Sequence, residues 1–159
     1  MIFVITGSEA FPFDRLIQEI DLMKKNQIIS TEVFIQLGSC NYIPSNCTWE
    51  KWLPFNKMRD NIASADLVIA HAGAGTTLLC LEMSKSPILV TRRSKHGEHV
   101  DDHQVEFALK MDKLGYASVA FDVEELKNIY QQYNSNSNKN IEYIEKIKLI
   151  SVLKEWLKL

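Results

Sequence analysis

An alternation of short apolar runs with helix-like segments is the feature that most restricts what this chain can fold into. The apolar runs occupy residues 2–6, 32–38, 66–73, 87–91 and 116–121. Between them, apolar residues recur three or four positions apart, which is the spacing of one face of a helix. This alternation is typical of βαβ units around a parallel sheet. The sequence therefore predicts an α/β fold, a Rossmann-like parallel sheet flanked by helices.

The predicted helices follow the strands in order. Asp122 is expected to be the N-cap of a late helix, with Glu125 three residues on completing a capping box. The helix after the first strand has an apolar stripe of Phe13, Leu16, Ile17 and Ile20. A short strand is expected within residues 47–53, and further helices over residues 56–65, 76–84 and 101–115.

Composition excludes several classes of protein. With 159 residues, the chain has room for one ordinary domain but not for two. Its net charge of -2 gives no overall positive field for nucleic acid, and no apolar run approaches the roughly 20 residues of a membrane span. The three cysteines lack C-x-x-C spacing and are expected to be free thiols in a reducing cytosol. The apolar start "MIFVIT" is expected to be a strand and not a signal peptide.

A polar stretch divides the chain near its end. Residues 1–132 are expected to form the Rossmann-like domain, 133–140 a polar linker, and 141–159 a C-terminal amphipathic helix. This helix could pack back on its own domain, which is the more common arrangement, or dock on a partner through Trp156 and its Ile/Leu stripe. Its mixed charges make binding to a membrane surface the least favoured option.

Unusual residues gather where the predicted strands end. They occupy positions 7–8, 38–39, 71–77 and 92–104. In open α/β sheets, ligands bind beyond the carboxyl ends of the strands, where loops enter helices. The sequence therefore predicts a binding site at this edge of the sheet.

The first candidate feature is the loop "HAGAGTT", residues 71–77, between a strand and a helix. Gly73 and Gly75 would let the backbone approach a ligand, and the free N–H groups of the helix start would suit a phosphate or pyrophosphate. His71 could donate to the same oxygens. The loop is neither a P-loop nor a G-x-G-x-x-G fingerprint. An ordinary βα turn with a capping threonine is the open alternative.

The second candidate feature is "HGEHVDDHQ", residues 96–104, which holds three of the four histidines. His96 and His99 are three positions apart, and His99 and His103 are four apart, so a helix could put pairs on one face for a metal. However, Gly97 and adjacent like charges argue against a continuous helix, and the spacing of binuclear hydrolases is absent. We therefore expect no metal, and a metal-dependent hydrolase is kept as an alternative function.

Two further interpretations of this loop stay open. Asp101 and Asp102 would be ordinary caps at a helix N-terminus, within a solvated loop. Gln104, in the first turn, could instead bind sugar hydroxyls, because its amide both donates and accepts.

Taken together and in order, the two loops resemble a known family. "ADLVIAHAGAGT" followed by "PILVTRRSKHGEHVDDHQ" resembles the C-terminal, donor-binding domain of GT-B glycosyltransferases of family 28, with the opening "TGSEAFPFDRL" matching as well. The closest likeness is to the small catalytic subunit of bacterial two-subunit exopolysaccharide glycosyltransferases. The chain is also similar to the soluble subunit of the eukaryotic transferase that adds the second GlcNAc to dolichol-diphosphate. The resemblance covers about residues 1–120.

This resemblance implies half of an enzyme. A complete GT-B transferase has two Rossmann-like domains, and the chain resembles only the donor half. The implied activity is that of an inverting hexosyltransferase of polysaccharide or exopolysaccharide biosynthesis, with a UDP-sugar as substrate and no metal or other cofactor. A membrane-anchored partner subunit would bind the acceptor, a lipid-diphosphate-linked glycan. This heterodimer would keep the chain cytoplasmic, at the inner face of the membrane, and active only with its partner.

The resemblance also assigns roles to individual residues. Gly7 and Ser8 would face the diphosphate from the first loop, and Phe55 would contact the uracil. The phosphates would be held by His71 together with Gly73, Ala74, Gly75, Thr76 and Thr77. The sugar would lie against Glu98, Asp102, His103 and Gln104.

One position departs from the family pattern. The family usually has Glu or Asp eight residues after the position of His71, where it binds the ribose hydroxyls, and this chain has Leu79 there. The nearest carboxylate, Glu82, would lie about 4.5 Å farther along the helix. Glu82 could reach the ribose in a shifted pose, or it could simply face solvent and leave ribose binding weaker. A non-catalytic nucleotide-sugar-binding module is therefore a second alternative function.

Glycosyl transfer would require stabilisation of the leaving diphosphate and a base for the acceptor hydroxyl. Helix-start N–H groups, His71, and Arg92 or Arg93 could stabilise the diphosphate without metal. His99 and His103 are the candidate bases within this chain. The base could equally come from the partner subunit.

Overall fold

The computed structural model describes residues 1–135. Within this range, six strands lie at Ile2–Ile5 (β1), Val33–Gln36 (β2), Thr48–Glu50 (β3), Leu67–His71 (β4), Ile88–Val90 (β5) and Ser118–Ala120 (β6). The α-helices of the same range are Asp14–Lys25 (α1), Phe55–Ser64 (α2), Ala74–Glu82 (α3), His103–Lys113 (α4) and Leu126–Ser135 (α5). Short 3₁₀ turns cover Ser94–His96 and Val123–Glu125.

All six strands are parallel and lie in the order β3-β2-β1-β4-β5-β6. The central strand is β1, in which Ile2 pairs with Val33 on one side and with Leu67 on the other. A parallel sheet has to be covered on both faces, and β1 and β4 are accordingly buried along their whole length. The predicted α/β fold, a Rossmann-like sheet flanked by helices, is confirmed.

Alternate residues of β1 face two separate apolar layers. Ile2 and Val4 belong to the layer completed by α1 and α5, whereas Phe3 and Ile5 belong to the layer completed by α2, α3 and α4. This arrangement arises because successive side chains of a strand point to opposite faces of the sheet. Helix α1 buries its predicted stripe in the first layer, with Leu16, Ile17, Ile20 and also Met23.

Two helices start at positions that differ from the predicted ones. Helix α3 begins at Ala74, two residues earlier than expected, because the chain is extended only as far as Gly73 (φ -85°, ψ 133°). It ends at Glu82, before a turn in which Ser84 has a φ of 57°. Helix α4 begins at His103, so Asp101 and Asp102 lie outside it.

The predicted capping box at residues 122–125 forms in a modified way. Asp122 accepts a hydrogen bond from the backbone N–H of Val123 at 2.9 Å, at the start of a 3₁₀ turn and not of an α-helix. Glu125 accepts from the N–H of Phe121 at 2.8 Å, one residue before the expected partner. Helix α5 follows directly after this turn.

The C-terminal organisation is described only in part. Helix α5 continues to Ser135 and so includes the first three residues of the segment predicted as a linker. The rest of that linker and the predicted helix at 141–159 lie outside the described residues. None of the described helices combines the length and the apolar character needed to cross a membrane.

Asp21, on α1, holds the loop between β2 and β3. Its carboxylate accepts from the hydroxyl of Tyr42 at 2.7 Å and from the backbone N–H groups of Ser45 at 3.2 Å and Asn46 at 2.7 Å. Burial alone would raise the pKa of Asp21, but these hydrogen bonds outweigh it, and the pKa is lowered. The charged carboxylate is therefore part of the folded structure.

Replacing this carboxylate tests the role of the loop anchor. We expect Asp21→Ala to lower the free energy of unfolding by about 3 kcal/mol, because several donors lose a charged acceptor. The matched control is Gln18→Ala, an exposed position on the same helix, with an expected change within about 0.5 kcal/mol. Urea denaturation at pH 7 measures both. Equal losses in the two variants would contradict the anchor role.

Candidate functional site

The carboxyl ends of β1 and β4 meet in the middle of the sheet. The helices that follow these two strands leave on opposite faces, α1 on the first apolar layer and α3 on the second. This is the topological switch point of an open α/β sheet, where a crevice forms between the departing loops. The loops after β1, β4 and β5 meet here, as the sequence predicted.

His71, the last residue of β4, is wedged between two glycines. A Cβ atom at Gly7 would lie 2.6 Å from Cε1 of His71, and a Cβ atom at Gly73 would lie 2.2 Å from its Nε2. Real Cβ atoms do not approach so closely, so both positions must lack a side chain. Gly7 also has a φ of 90°, which favours glycine. The glycines were expected to give room to a ligand, and the structure shows that they first give room to the histidine.

Burial keeps the His71 imidazole neutral. Desolvation is the main cause that lowers its pKa, the nearby Arg92 charge adds to the shift, and the backbone of Ile5 opposes it only in part, which leaves the pKa at about 4. The side chain is 6% exposed, and Nδ1 has no hydrogen-bond partner among the described residues. At neutral pH, His71 can therefore donate or accept a hydrogen bond at this edge but carries no charge.

The start of α3 presents free backbone donors beside His71. The first hydrogen bond at this end of the helix runs from the N–H of Thr77 to the carbonyl of Gly73, at 3.0 Å. Within the described part of the chain, the N–H groups of residues 74–76 have no acceptor, as expected of a first helical turn. These groups and the positive end of the helix dipole suit an anion.

The two threonines of this loop behave differently. Thr76 is partly exposed in the first turn of α3. Thr77 is fully buried, and its hydroxyl donates to the carbonyl of Gly73 at 2.9 Å. Because the helix starts two residues earlier than predicted, Thr77 points inward. Its hydroxyl supports the loop and is not directed at a ligand.

Gln36 is a site residue that sequence reasoning missed. Its side-chain amide accepts from the N–H of Gly7 at 3.0 Å and donates to the carbonyl of Gly7 at 3.0 Å. Gly7 is therefore fixed by Gln36, and its N–H is not free for a diphosphate, whereas the adjacent Ser8 is exposed. A polar residue inside the buried run "VFIQLG" was the signal that could have identified it.

Arg92 joins the loops that follow β1 and β5. It is 1% exposed and donates to three backbone carbonyls, those of Thr6 at 2.6 Å, Phe11 at 2.7 Å and Glu98 at 3.0 Å. Its guanidinium also lies 5.1 Å from the ring centroid of Phe13. The expectation that Arg92 stabilises a leaving diphosphate is therefore not supported by its contacts, which are structural.

Glu98 lies in a buried ion pair. Its carboxylate accepts from Arg15 through Nε at 2.7 Å and Nη2 at 3.0 Å, and from the backbone N–H of Arg93 at 2.9 Å. Nη1 of Arg15 also donates to Asp122 at 2.6 Å. Burial opposes these contacts, yet the pKa of Arg15 is raised and that of Asp122 is lowered. Both oxygens of Glu98 are thus occupied, and its predicted contact with the sugar has no support in this geometry.

The two aspartates of "HGEHVDDHQ" have different partners. Asp102 accepts from the N–H of Ser94 at 2.8 Å and so holds the 3₁₀ turn after β5. Asp101 accepts from the N–H of His103 at 3.1 Å and caps α4. Asp102 was predicted as a helix cap and a sugar ligand, but its observed hydrogen bond is to the loop itself.

The histidines of this loop form a small cluster. Nε2 of His99 is 3.0 Å from Oε2 of Glu9, and Nδ1 of His103 contacts the Asp101 carboxylate. Among the described residues, only His99, Asp101 and His103 place three ligand-type atoms within 4.8 Å of one another. Direct hydrogen bonds within the cluster account for this proximity, so we assign no metal to it. His96 is not part of it.

Gln104 is buried in the first turn of α4. It is 2% exposed, and its Oε1 has no hydrogen-bond partner among the described residues. The other buried side-chain atoms without a partner in the described chain are Nδ1 of His71, Nε of Arg92 and Nε of Arg93. Buried polar groups are normally paired. Three of these atoms belong to residues at the end of β4 or directly after β5, and the fourth lies at the start of α4, so this edge is a candidate binding site.

The residues expected at the nucleotide base and ribose belong to α2 and α3. Phe55 is the first residue of α2 and is 68% exposed, beyond the end of β3. Leu79 packs against the second apolar layer. Glu82 is the exposed last residue of α3, about 12 Å of helical rise from its start. Glu82 therefore has the weakest geometric support of the predicted site residues.

The geometry of this edge agrees with the match to a protein family. Residues 1–154 match the glycosyltransferase family 28 C-terminal domain. The chain belongs to this family.

Individual relatives of this family 28 domain agree with the assignment. The chain is 35% identical over 85 residues to the UDP-N-acetylglucosamine transferase subunit ALG13 of Candida albicans, covering 54% of this chain and 25% of that protein. It is 30% identical over 124 residues to the human protein of the same name, covering 72% of this chain and 10% of that protein. The chain thus spans a quarter or less of the length of these two relatives.

A solved structure supports the fold of the domain. The glycotransferase of kitacinnamycin is similar with a TM-score of 0.57 and 14% identity, over 98% of this chain and 38% of that one. At this identity the likeness shows the fold alone. The predicted membership of the family and the predicted half of a GT-B fold are confirmed.

Alanine substitutions at two glycines test the wedged histidine. In Gly73→Ala, the new methyl group would overlap His71, so we expect a loss of about 1–3 kcal/mol of unfolding free energy and a shifted ring. At Gly75, an added Cβ meets nothing within 4 Å, so Gly75→Ala is the matched control and should be neutral or slightly stabilising. Thermal or urea unfolding measures the stability. An equal change in unfolding free energy in the two variants would contradict the close packing of His71 against Gly73.

The neutral His71 predicts a pH dependence of stability. Its pKa is about 4 in the folded chain and about 6.5 when unfolded, so the unfolded chain binds the proton first as the pH falls. Stability is therefore lost between pH 6.5 and pH 4, by about 3 kcal/mol from this residue. We expect His71→Gln to show a flatter decline over this range in urea unfolding. An identical decline in both proteins would contradict the low pKa.

Proposed function

We propose that this chain is the donor-binding catalytic subunit of a glycosyltransferase that moves a sugar from a UDP-sugar to a lipid-diphosphate-linked acceptor. The observation that carries the proposal is that free N–H groups at the start of α3 lie close to His71 at the switch point. Membership of family 28 supports a nucleotide-sugar as the ligand of this anion site. The names of the ALG13 relatives support UDP-N-acetylglucosamine as the donor to test first.

The proposed chemistry rests on backbone donors and requires no metal. As the bond to the diphosphate breaks, negative charge develops on the leaving oxygens, and the N–H groups of residues 74–76 stabilise it. The neutral His71 adds a hydrogen-bond donor. The sugar lies against Gln104, whose unpaired amide oxygen would accept from a hydroxyl. Attack from the opposite side of the ring would invert the anomeric carbon.

The proposal includes a partner. The described residues form one Rossmann-like sheet, and we propose that a second subunit supplies the acceptor half of the site. We propose that this subunit is membrane-anchored and recruits the chain to the cytoplasmic face of the membrane for polysaccharide or exopolysaccharide synthesis. The word "subunit" in the names of the relatives supports an assembly of this kind.

One observation favours a second candidate function. Leu79 packs in the apolar layer where the family has a carboxylate for the ribose, and Glu82 lies one turn farther on. A non-catalytic module would tolerate the loss of this ribose-binding carboxylate more easily than an enzyme would. Such a module would bind UDP and yet fail to support transfer when combined with the partner.

UDP binding and transfer test the proposal. We expect titration calorimetry to show UDP binding that weakens about tenfold or more in His71→Ala, because a buried hydrogen bond to a charged group is lost. His96→Ala, at an exposed histidine of the β5 loop, should bind as the unchanged protein does. In the complex with the partner, we expect transfer from UDP-N-acetylglucosamine to persist in EDTA and to be abolished in His71→Ala. Failure to bind UDP would overturn the proposal, and binding without transfer would favour the non-catalytic module.

A further inference from the structure

His103 begins α4 and is held by the carboxylate of Asp101. Oδ1 of Asp101 accepts from the backbone N–H of His103 at 3.1 Å and also contacts its ring Nδ1. A carboxylate at Nδ1 selects the tautomer that carries its proton there and leaves a lone pair on Nε2. None of the described residues hydrogen-bonds Nε2, and the side chain is 47% exposed. Nδ1 of His103 is thus held by Asp101, and Nε2 has no partner among the described residues.

His99, the other candidate base, has no open nitrogen. Its Nε2 is 3.0 Å from Oε2 of Glu9, and its Nδ1 accepts from the backbone N–H of Asp101 at 3.4 Å. The side chain is only 7% exposed. A general base needs a free lone pair within reach of the substrate. His99 instead supports its neighbour, because its ring lies edge-on to that of His103 with centroids 4.6 Å apart.

The pair of Asp101 and His103 follows β5, the strand next to the one that ends at His71. His99, on which His103 packs, contacts Glu9 and Phe11 of the loop that follows β1. His103, whose ring lies against that of His99, is therefore placed among the loops that follow β1 and β5, beside the strand that ends at His71.

We propose that Nε2 of His103 is the general base of the transfer reaction and that Asp101 is the residue that orients it. This inference rests on the proposed function. The Nε2 lone pair takes the proton of the acceptor hydroxyl while that oxygen bonds to the anomeric carbon. The bond from this carbon to the diphosphate breaks, and its electron pair leaves with UDP. The proton remains on His103, where Asp101 stabilises the imidazolium, and then passes to solvent.

The competing role for His103 is that of a hydroxyl ligand for the sugar. His103→Gln separates the two roles, because glutamine keeps a donor and an acceptor but cannot take a proton at neutral pH. If His103 is only a hydroxyl ligand, His103→Gln should change mainly KM. As the base, His103 accounts for a factor of about 10²–10⁴ in rate, so kcat should fall by that factor.

The kinetic test uses the complex with the membrane-anchored partner, UDP-N-acetylglucosamine and a lipid-diphosphate-linked acceptor. We expect kcat to fall at least 100-fold in His103→Gln, with unchanged UDP affinity of the chain by calorimetry. His96→Gln, an exposed histidine of the same loop, is the control and should keep the unchanged kcat. A wild-type kcat in His103→Gln would overturn the assignment of His103 as the general base and would leave the proposed function standing. No transfer by the unchanged complex would overturn both.

A spectroscopic test of Asp101 needs neither the partner nor a substrate. Long-range ¹H–¹⁵N spectra of the full chain at neutral pH should show His103 protonated at Nδ1 and bare at Nε2. In Asp101→Asn, the amide oxygen can still cap the N–H of His103, but without the charge we expect the Nε2–H tautomer to appear. In the separate kinetic assay of the full complex, kcat of this variant should fall about tenfold or more. A His103 ring that is already protonated at Nε2 in the unchanged protein would overturn the assignment.

Discussion

Arg92 lies buried between the loops that follow β1 and β5 and donates to main-chain carbonyls of both. Burying a guanidinium is costly, and here three carbonyls that accept from Nη1 and Nη2, together with the face of Phe13, offset that cost, while Nε has no partner among the described residues. The contact closes the crevice on one side, since the two loops cannot separate without exposing an unpaired charge. Arg15 reinforces it from α1 by binding the carboxylate of Glu98, whose carbonyl Arg92 already holds.

The same arginine affects what the crevice can bind and how. Its charge adds to burial in lowering the pKa of His71, so the crevice contains a neutral imidazole where a cation would have been expected beside a diphosphate. Attraction for an anion then depends on oriented backbone N–H groups at the start of α3. Such dipoles need no reorganisation as charge develops on a leaving group, and they act more strongly in a crevice that excludes water.

The parts of the structure that follow from local pattern could be predicted from the sequence. Apolar runs, helical stripes and glycines at strand ends determine the sheet, the switch point and the position of the crevice. Contacts between distant segments could not be predicted, because local pattern carries no information about them. Glu98 looked like a free ligand for the sugar, but its partner Arg15 is 83 residues away. Thr77 looked like a phosphate ligand, and a two-residue shift in the start of α3 turned its hydroxyl inward.

The histidines His71, His99 and His103 show how different surroundings give one residue type different roles. His71 is buried and neutral, and its ring is confined by two glycines, so it can contribute hydrogen bonds but cannot exchange protons with solvent. His99 has both nitrogens engaged and serves as packing. Only His103 combines an oriented nitrogen with one that is open to solvent. A proton taken from an acceptor must eventually leave, and among these three rings only that of His103 has a path for it.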